Sequence, residues 1–227
     1  GNNNILHVRN NSRNSFNRND NEKKEIKVVL KPYTQEDFDY WEDYYFDIND
    51  LEYFNIKPCQ EVWLNNKLWY SYNSKNPCYR YVFNGKYKIY KPLDTTGYRW
   101  LNNCDNYNNI QGFEYLDYKS DTLIITKSFK DVACIKKHLN YDSISFHGES
   151  HYIDEKIINY LKNKYKKIYF FYDNDKSGIR DAEKLSKLYD IPHIYIPKQY
   201  SVKDISDYIK TYGIHSAKQI VKLLINY

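Results

Sequence analysis

The chain has 227 residues, 34 Lys and Arg against 29 Asp and Glu, and 41% hydrophobic residues, enough for one large domain or two small ones with a real core. No apolar run approaches the roughly 20 residues of a membrane span, and no basic, apolar and small-residue succession at the N-terminus marks a secretion signal. Cys59, Cys78, Cys104 and Cys134 contain no C-x-x-C pair and are too sparse for a zinc site or a disulfide framework, so a soluble, intracellular protein is expected.

Residues 1–25 are rich in Asn and poor in apolar side chains. They cannot bury enough surface to offset their ordering entropy, and a disordered segment is expected. Ile26 to Leu30 reads as a short strand. Residues 31–118 are net acidic, and Thr34 followed by Glu36 and Asp37 suits a helix start. From Val62 onward short aromatic runs alternate with turn residues. Tyr79 to Phe83, Asn84-Gly85 and Lys86 to Tyr90 form the best hairpin signal, because Asn-Gly suits a two-residue turn. Residues 26–118 therefore read as an N-terminal α+β subdomain with a small, mostly antiparallel sheet.

Residues 119–227 are net basic, and strands alternate with helices. Strands are expected at Leu123 to Thr126, Ser143 to Phe146, Ile168 to Tyr172 and His193 to Ile196. Helices are expected around Lys130 to Leu139, Asp154 to Lys164, Gly178 to Leu188, Asp204 to Lys210 and Ser216 to Ile225. This alternation implies an α/β unit with a largely parallel sheet flanked by helices.

Open α/β sheets bind ligands beyond the C-terminal ends of their strands. There the third strand offers Asp173 and Asp175, two residues apart and on one face if extended. Adjacent carboxylates repel unless a cation or proton intervenes, and Mg²⁺ held by one or two carboxylates plus waters and phosphates fits that need. The competing reading is that Asp173 or Asp175 caps the next helix. Asp204 faces the same choice. Glu149, flanked by His147 and His151, is a further carboxylate in the layer.

Three segments occur in order, each after an expected strand: Leu-Ile-Ile-Thr-Lys-Ser-Phe-Lys-Asp (123–131), Tyr-Asp-Asn-Asp-Lys-Ser-Gly (172–178) and Lys-Asp-Ile-Ser-Asp (203–207). Together they resemble the TOPRIM fold of bacterial-type primases, topoisomerases and related nucleases, over residues 119–213. Within it they are most similar to the primases of phage primase-helicases and their organellar relatives. Asp39-Tyr40-Trp41, with Leu51, Ile56 and Pro58, is similar to that family's lead-in. Lys88-Ile89-Tyr90-Lys91-Pro92-Leu93, followed by Arg99-Trp100, resembles its small basic subdomain.

The resemblance implies a DNA primase module that makes RNA primers on single-stranded DNA from ribonucleotides. Asp173, Asp175 and Asp204 would be the ligands of Mg²⁺ or Mn²⁺. Lys127, Lys130, Asp131 and Lys203 would form the catalytic set, and Lys88, Lys91, Arg99 and Lys176 would bind nucleic acid or nucleotide. A C-terminal helicase domain and a separate zinc-binding module are the implied partners. The absence of Met and the opening Gly1 fit a piece of a longer chain. The bias toward Tyr, Asn and Lys fits an AT-rich genome. That points to the host-cell cytoplasm for a phage, or to a plastid or mitochondrion for a eukaryote.

One departure stands out. The family has a Glu-Gly pair after the first strand, where this chain has Lys127-Ser128, and no carboxylate lies between Asp121 and Asp131. Either Lys127 contacts a phosphate, or priming is lost and the domain steers single-stranded DNA toward a helicase without catalysis.

Overall fold

The computed structural model describes residues 24–104, 110–146 and 153–226. Nearly all of the segment expected to be disordered, and His147, Glu149 and His151, lie outside them.

The N-terminal half follows local chemistry closely. Strand β1 (Ile26–Leu30) leads to helices α1 (Gln35–Glu42) and α2 (Ile48–Tyr53). Asp37 accepts from the backbone N–H of Thr34 at 2.9 Å, and Asp47 and Asp50 cap α2 reciprocally. Tyr45, at φ +59°, separates the two helices. Strands β2 (Lys57–Leu64), β3 (Lys67–Ser71), β4 (Tyr79–Phe83), β5 (Lys86–Tyr90) and β6 (Trp100–Asn102) complete an antiparallel sheet. Its order is β1-β2-β4-β5-β6, with β3 on β2. Asn84 and Gly85 both take positive φ, 47° and 72°, and close the β4–β5 hairpin with Phe83 opposite Lys86.

The second half alternates β7 (Thr122–Thr126), α3 (Phe129–Cys134), β8 (Asp142–Ser145), α4 (Glu155–Lys164), β9 (Lys167–Phe171), α5 (Lys176–Tyr189), β10 (His193–Ile194) and α6 (Ile205–Asn226). Helix α3 continues as a π-helical turn over Ile135–Leu139, and α6 is broken at Gly213 (φ 79°, ψ 166°). The four strands pair in parallel in the order β10-β9-β7-β8. The fourth strand is shorter than expected, ending at Ile194.

Alternation along each strand sorts the core into layers. Tyr79, Tyr81, Phe83 and Tyr90 face the parallel half, where they join Phe129, Ile124, Tyr208 and Val221 in one apolar cluster. Cys59, Val62, Ile89 and Leu101 pack on the outer face of the antiparallel sheet. Leu123, Ile125, Phe170 and Leu185 occupy the far face of the parallel sheet. Helix α3 is therefore sandwiched between the two halves, and all six of its residues are buried, Lys130 and Asp131 included. Gly112, at φ +88°, permits the crossover beside it, since a Cβ there would lie 2.6 Å from Val132 Cγ1.

Candidate active site

In the strand order β10-β9-β7-β8, β8 lies on one side of β7 and β9 on the other. The chain thus reverses its direction of winding between β7 and β9, the place where open α/β sheets bind ligands. The loops leaving these two strands carry Lys127-Ser128 and Asp173-Asn174-Asp175.

Hydrogen bonds stitch the second loop to the segment before α6. Asn174 Nδ2 donates to the carbonyls of Ile196 (2.8 Å) and Val202 (2.9 Å), and its backbone N–H donates to Lys203 O at 2.9 Å. Asp204 is thereby brought beside the end of β9. Asp175 caps α5, its Oδ1 accepting from the N–H groups of Ser177 (3.0 Å) and Gly178 (2.9 Å). A Cβ on Gly178 would lie 2.2 Å from Asp173 O, so only glycine lets the helix start so close to the loop. Asp204 caps α6, its Oδ1 accepting from Ser206 Oγ (2.7 Å) and Asp207 N (2.8 Å). Capping and ligand binding are not exclusive here, because each cap uses only one carboxylate oxygen.

Asp131 ties α3 to α6, with Ser128 Oγ donating to Oδ2 at 2.6 Å and Ser206 N to Oδ1 at 3.2 Å. Burial, and then the charge of Asp204, push its pKa up to about 8. Burial and Asp204 likewise lift Asp173 to about 6, although Lys127 pulls the other way. Asp207 is raised by burial and by Asp204. Asp175 is held low, chiefly by its hydrogen bonds from Gly178 and Ser177.

Three ammonium groups share the cluster. Lys127 Nζ lies 3.4 Å from Asp173 Oδ2, and Lys203 Nζ lies 3.9 Å from Asp175 Oδ2. Lys130 Nζ lies 3.1 Å from Tyr44 Oη and 3.7 Å from Asp207 Oδ1. Burial opposes the charge of Lys130, but Asp204, Tyr90, Tyr44 and Asp131 outweigh it and hold the ammonium well above its usual pKa. Five carboxylates (Asp131, Asp173, Asp175, Asp204, Asp207) thus face three ammoniums, which leaves two negative charges in excess when all are ionised. Among the described residues no three acidic, His or Cys side chains converge on one point where they could hold an ion. Carboxylate oxygens are the donor type a hard divalent cation takes, and here one or two of them would be joined by water and phosphate. These carboxylates do not fit an all-protein cage.

The remaining predicted residues divide. Lys176 is exposed on the first turn of α5, next to Asp175. Lys88 is buried at the junction of the two sheets, its Nζ 3.1 Å from Gln111 Oε1, and burial lowers its pKa to about 8. Arg99 is exposed and donates to Pro92 O at 2.8 Å. Lys91 is buried in an ion pair with Asp94 (2.7 Å) beneath the Trp69 ring, apart from the carboxylate cluster.

The sequence motifs include Asp207, Gly178 and Trp100 but assign them no role, and Tyr44 lies outside them. The Asp204-x-x-Asp207 spacing, one helical turn, was the readable signal for the first. Trp100 stacks on Tyr90 with ring centroids 4.1 Å apart and planes at 15°, yet it remains 40% exposed on the edge strand β6. Lys88 Nζ is 4.7 Å from the centre of its ring.

A Toprim-like family model matches residues 128–209, from the cap of α3 through Asp173, Asp175, Asp204 and Asp207. No curated protein matches the chain in sequence. Among solved structures, the DnaG primase catalytic domain bound to ssDNA aligns with a TM-score of 0.63 at 12% identity, over 86% of this chain and 73% of that one. The Aquifex aeolicus primase (zinc-binding and RNA polymerase domains) gives 0.60 at 13% identity over 84% of this chain, which spans 56% of that protein's. The primase domain of bacteriophage T7 gp4, seen with a lagging-strand DNA polymerase and an RNA/DNA hybrid, gives 0.54 at 11% identity, covering 88% and 91%. At such identities the likeness is one of fold: this chain has the mixed α/β fold of primase catalytic cores, and the Toprim-like match lies within its parallel half.

Proposed function

We propose that the chain is a primase-type nucleotidyltransferase core that joins ribonucleotides on a single-stranded DNA template, as part of a larger primase-helicase with a zinc-binding module elsewhere. The observation that carries this reading is the acidic cluster at the switch point of a primase-like fold, five carboxylates drawn together with lysines on its rim. Asp173 and Asp204 would hold Mg²⁺ or Mn²⁺, with Asp175 at the edge. The bound ion supplies charge neutralisation of the triphosphate and a lowered pKa for the attacking 3′-hydroxyl.

The chain's own groups do the rest. Lys203 and Lys176, exposed beside Asp175, are placed to meet phosphate oxygens as point charges. Lys130 is pinned between Tyr44 and Asp207 and keeps its charge in a buried place. On the antiparallel sheet, Tyr90 lies close enough to Lys130 to influence its ionisation, and Tyr90 carries Trp100 on its face. Trp100 is the exposed member of this group and suits a single strand, whose bases stack on aromatic rings.

A non-catalytic domain that steers single-stranded DNA for a helicase is the second reading. The Lys127–Asp173 ion pair favours it, because an ammonium lies against a carboxylate assigned to the metal. Primer synthesis on single-stranded DNA with Mn²⁺ or Mg²⁺, comparing the parent with Asp173→Asn/Asp204→Asn, separates the two. Product from the parent alone supports catalysis. A parent that binds the strand but forms no product, with a zinc-binding module supplied, would leave the steering reading standing. No helix among the described residues is long and apolar enough to cross a membrane. The phage or organellar setting, with its cytoplasmic or organellar location, belongs to the same proposal.

A further inference from the structure

Lys127 is the first residue beyond β7, and both of its neighbours are fixed. Thr126 Oγ1 donates to Ser128 O at 3.1 Å, and Ser128 Oγ is bound to Asp131. The backbone of Lys127 is thus anchored at the switch point, and its four-carbon stem delivers Nζ to 3.4 Å from Asp173 Oδ2. Both side chains are only 17% exposed, so water screens the pair weakly. Of the three ammoniums in the cluster, Lys203 sits in the open and Lys130 is engaged with Tyr44 and Asp207. Lys127 alone among them pairs with the carboxylate that ends β9.

We propose that Lys127 is a tethered cation seated on Asp173, which competes with the divalent ion for that carboxylate and sets the metal affinity of the site. This rests on the reading of Asp173 and Asp204 as metal ligands. Two positive charges cannot share one half-buried carboxylate without mutual repulsion, so an arriving ion must displace the ammonium or bind against it. The lysine stem is flexible, and its charge is a compact point, so displacement requires only a rotamer change. The chain therefore carries its own occupant for part of the metal position, and removing that occupant strengthens metal binding.

The experiment is a Mn²⁺ titration of the full chain by calorimetry or electron paramagnetic resonance. It compares the parent with Lys127→Met, Lys127→Arg, Asp173→Asn and Lys127→Met/Asp173→Asn. Lys127→Met keeps the length of the stem and should bind Mn²⁺ about ten-fold tighter or more, the size of one charge contact of this kind in a partly screened setting. Lys127→Arg, which keeps the charge, should match the parent. Measured against Asp173→Asn alone, the double variant should show no gain, whereas a role of Lys127 that does not run through Asp173 would leave the gain in place. Parent binding that is measurable and unchanged in Lys127→Met overturns this inference and leaves the metal reading intact. Absence of Mn²⁺ binding in both overturns the metal reading and the inference with it. Lys127→Gln provides a second neutral variant if circular dichroism shows that Lys127→Met is misfolded.

Discussion

The two sheets, an antiparallel and a parallel wall on either side of α3, treat charge in opposite ways. On the antiparallel wall Lys91, Lys88 and Arg99 each have a local partner. Lys91 pairs with Asp94, Lys88 meets the amide of Gln111, and Arg99 is held by the carbonyl of Pro92. On the parallel wall, carboxylates from three loops are crowded together, and two of them are lifted to about 6 and about 8. The first wall gives its cations local polar or acidic partners, whereas carboxylates crowded at the strand ends repel one another and leave an imbalance that a cation would relieve. The crowding follows from topology, because parallel strands end at one edge and α5 and α6, which start there, are capped by Asp175 and Asp204.

The strongest way to break this contrast is through glycine. Gly178→Ala would place a methyl 2.2 Å from Asp173 O, against backbone that cannot yield. A loss of about 3 kcal/mol or more is expected, as for severe overpacking, together with loss of Mn²⁺ binding. Gly85→Ala, in the hairpin of the other wall, meets no atom within 4 Å and has only its φ of +72° to contend with. It should cost about 1 kcal/mol and leave Mn²⁺ binding alone. Urea melts of both proteins, with metal titrations, make the test. Equal effects would show that the loop at Asp173 is not held by that close approach.

The same contrast bears on what could be foreseen. The β4–β5 hairpin was readable to the residue because Asn84-Gly85 dictates a local conformation. The order of strands and helices after residue 119 was readable from alternation alone. The third-strand motif singled out Asp173 and Asp175, and position beyond the fourth strand singled out Asp204. What escaped was made by packing between distant segments. Tyr44 reaches Lys130 from 86 residues away, and Asp131 is buried only because α3 lies between the two sheets. Likewise α1 and α2 could not be divided from composition, since the break at Tyr45 is a backbone choice that no glycine or proline announces.

A second test uses pH. Asp131 titrates near 8 in the folded protein, against about 3.9 for an unfolded Asp. Between these values the folded state binds the extra proton, so this group's contribution to stability declines as pH rises from about 4 to 8. Asp131→Asn removes the ionisation. In metal-free buffer its stability should therefore gain on the parent's steadily between pH 5 and 8, as read by urea melts at each pH. Parallel curves would mean that Asp131 ionises normally and that the acidic wall is less crowded than its geometry indicates.

The smallest effects belong to the antiparallel wall, and they separate stacking from charge. Trp100→Ala should weaken binding of an oligo-dT strand by about 1–3 kcal/mol, the range for one stacked base, and leave the salt dependence unchanged. Trp100→Phe should retain most of the affinity. Arg99→Ala should weaken binding less, by up to about 1 kcal/mol, yet reduce the slope of log affinity against log salt by about one phosphate contact. The pair of slopes is the informative measurement. A Trp100→Ala slope that falls like that of Arg99→Ala would mean that the indole positions the neighbouring cations rather than meeting a base. An Arg99→Ala slope equal to the parent's would mean that the guanidinium stays with the carbonyl of Pro92, so that this wall offers the strand an aromatic surface and little charge.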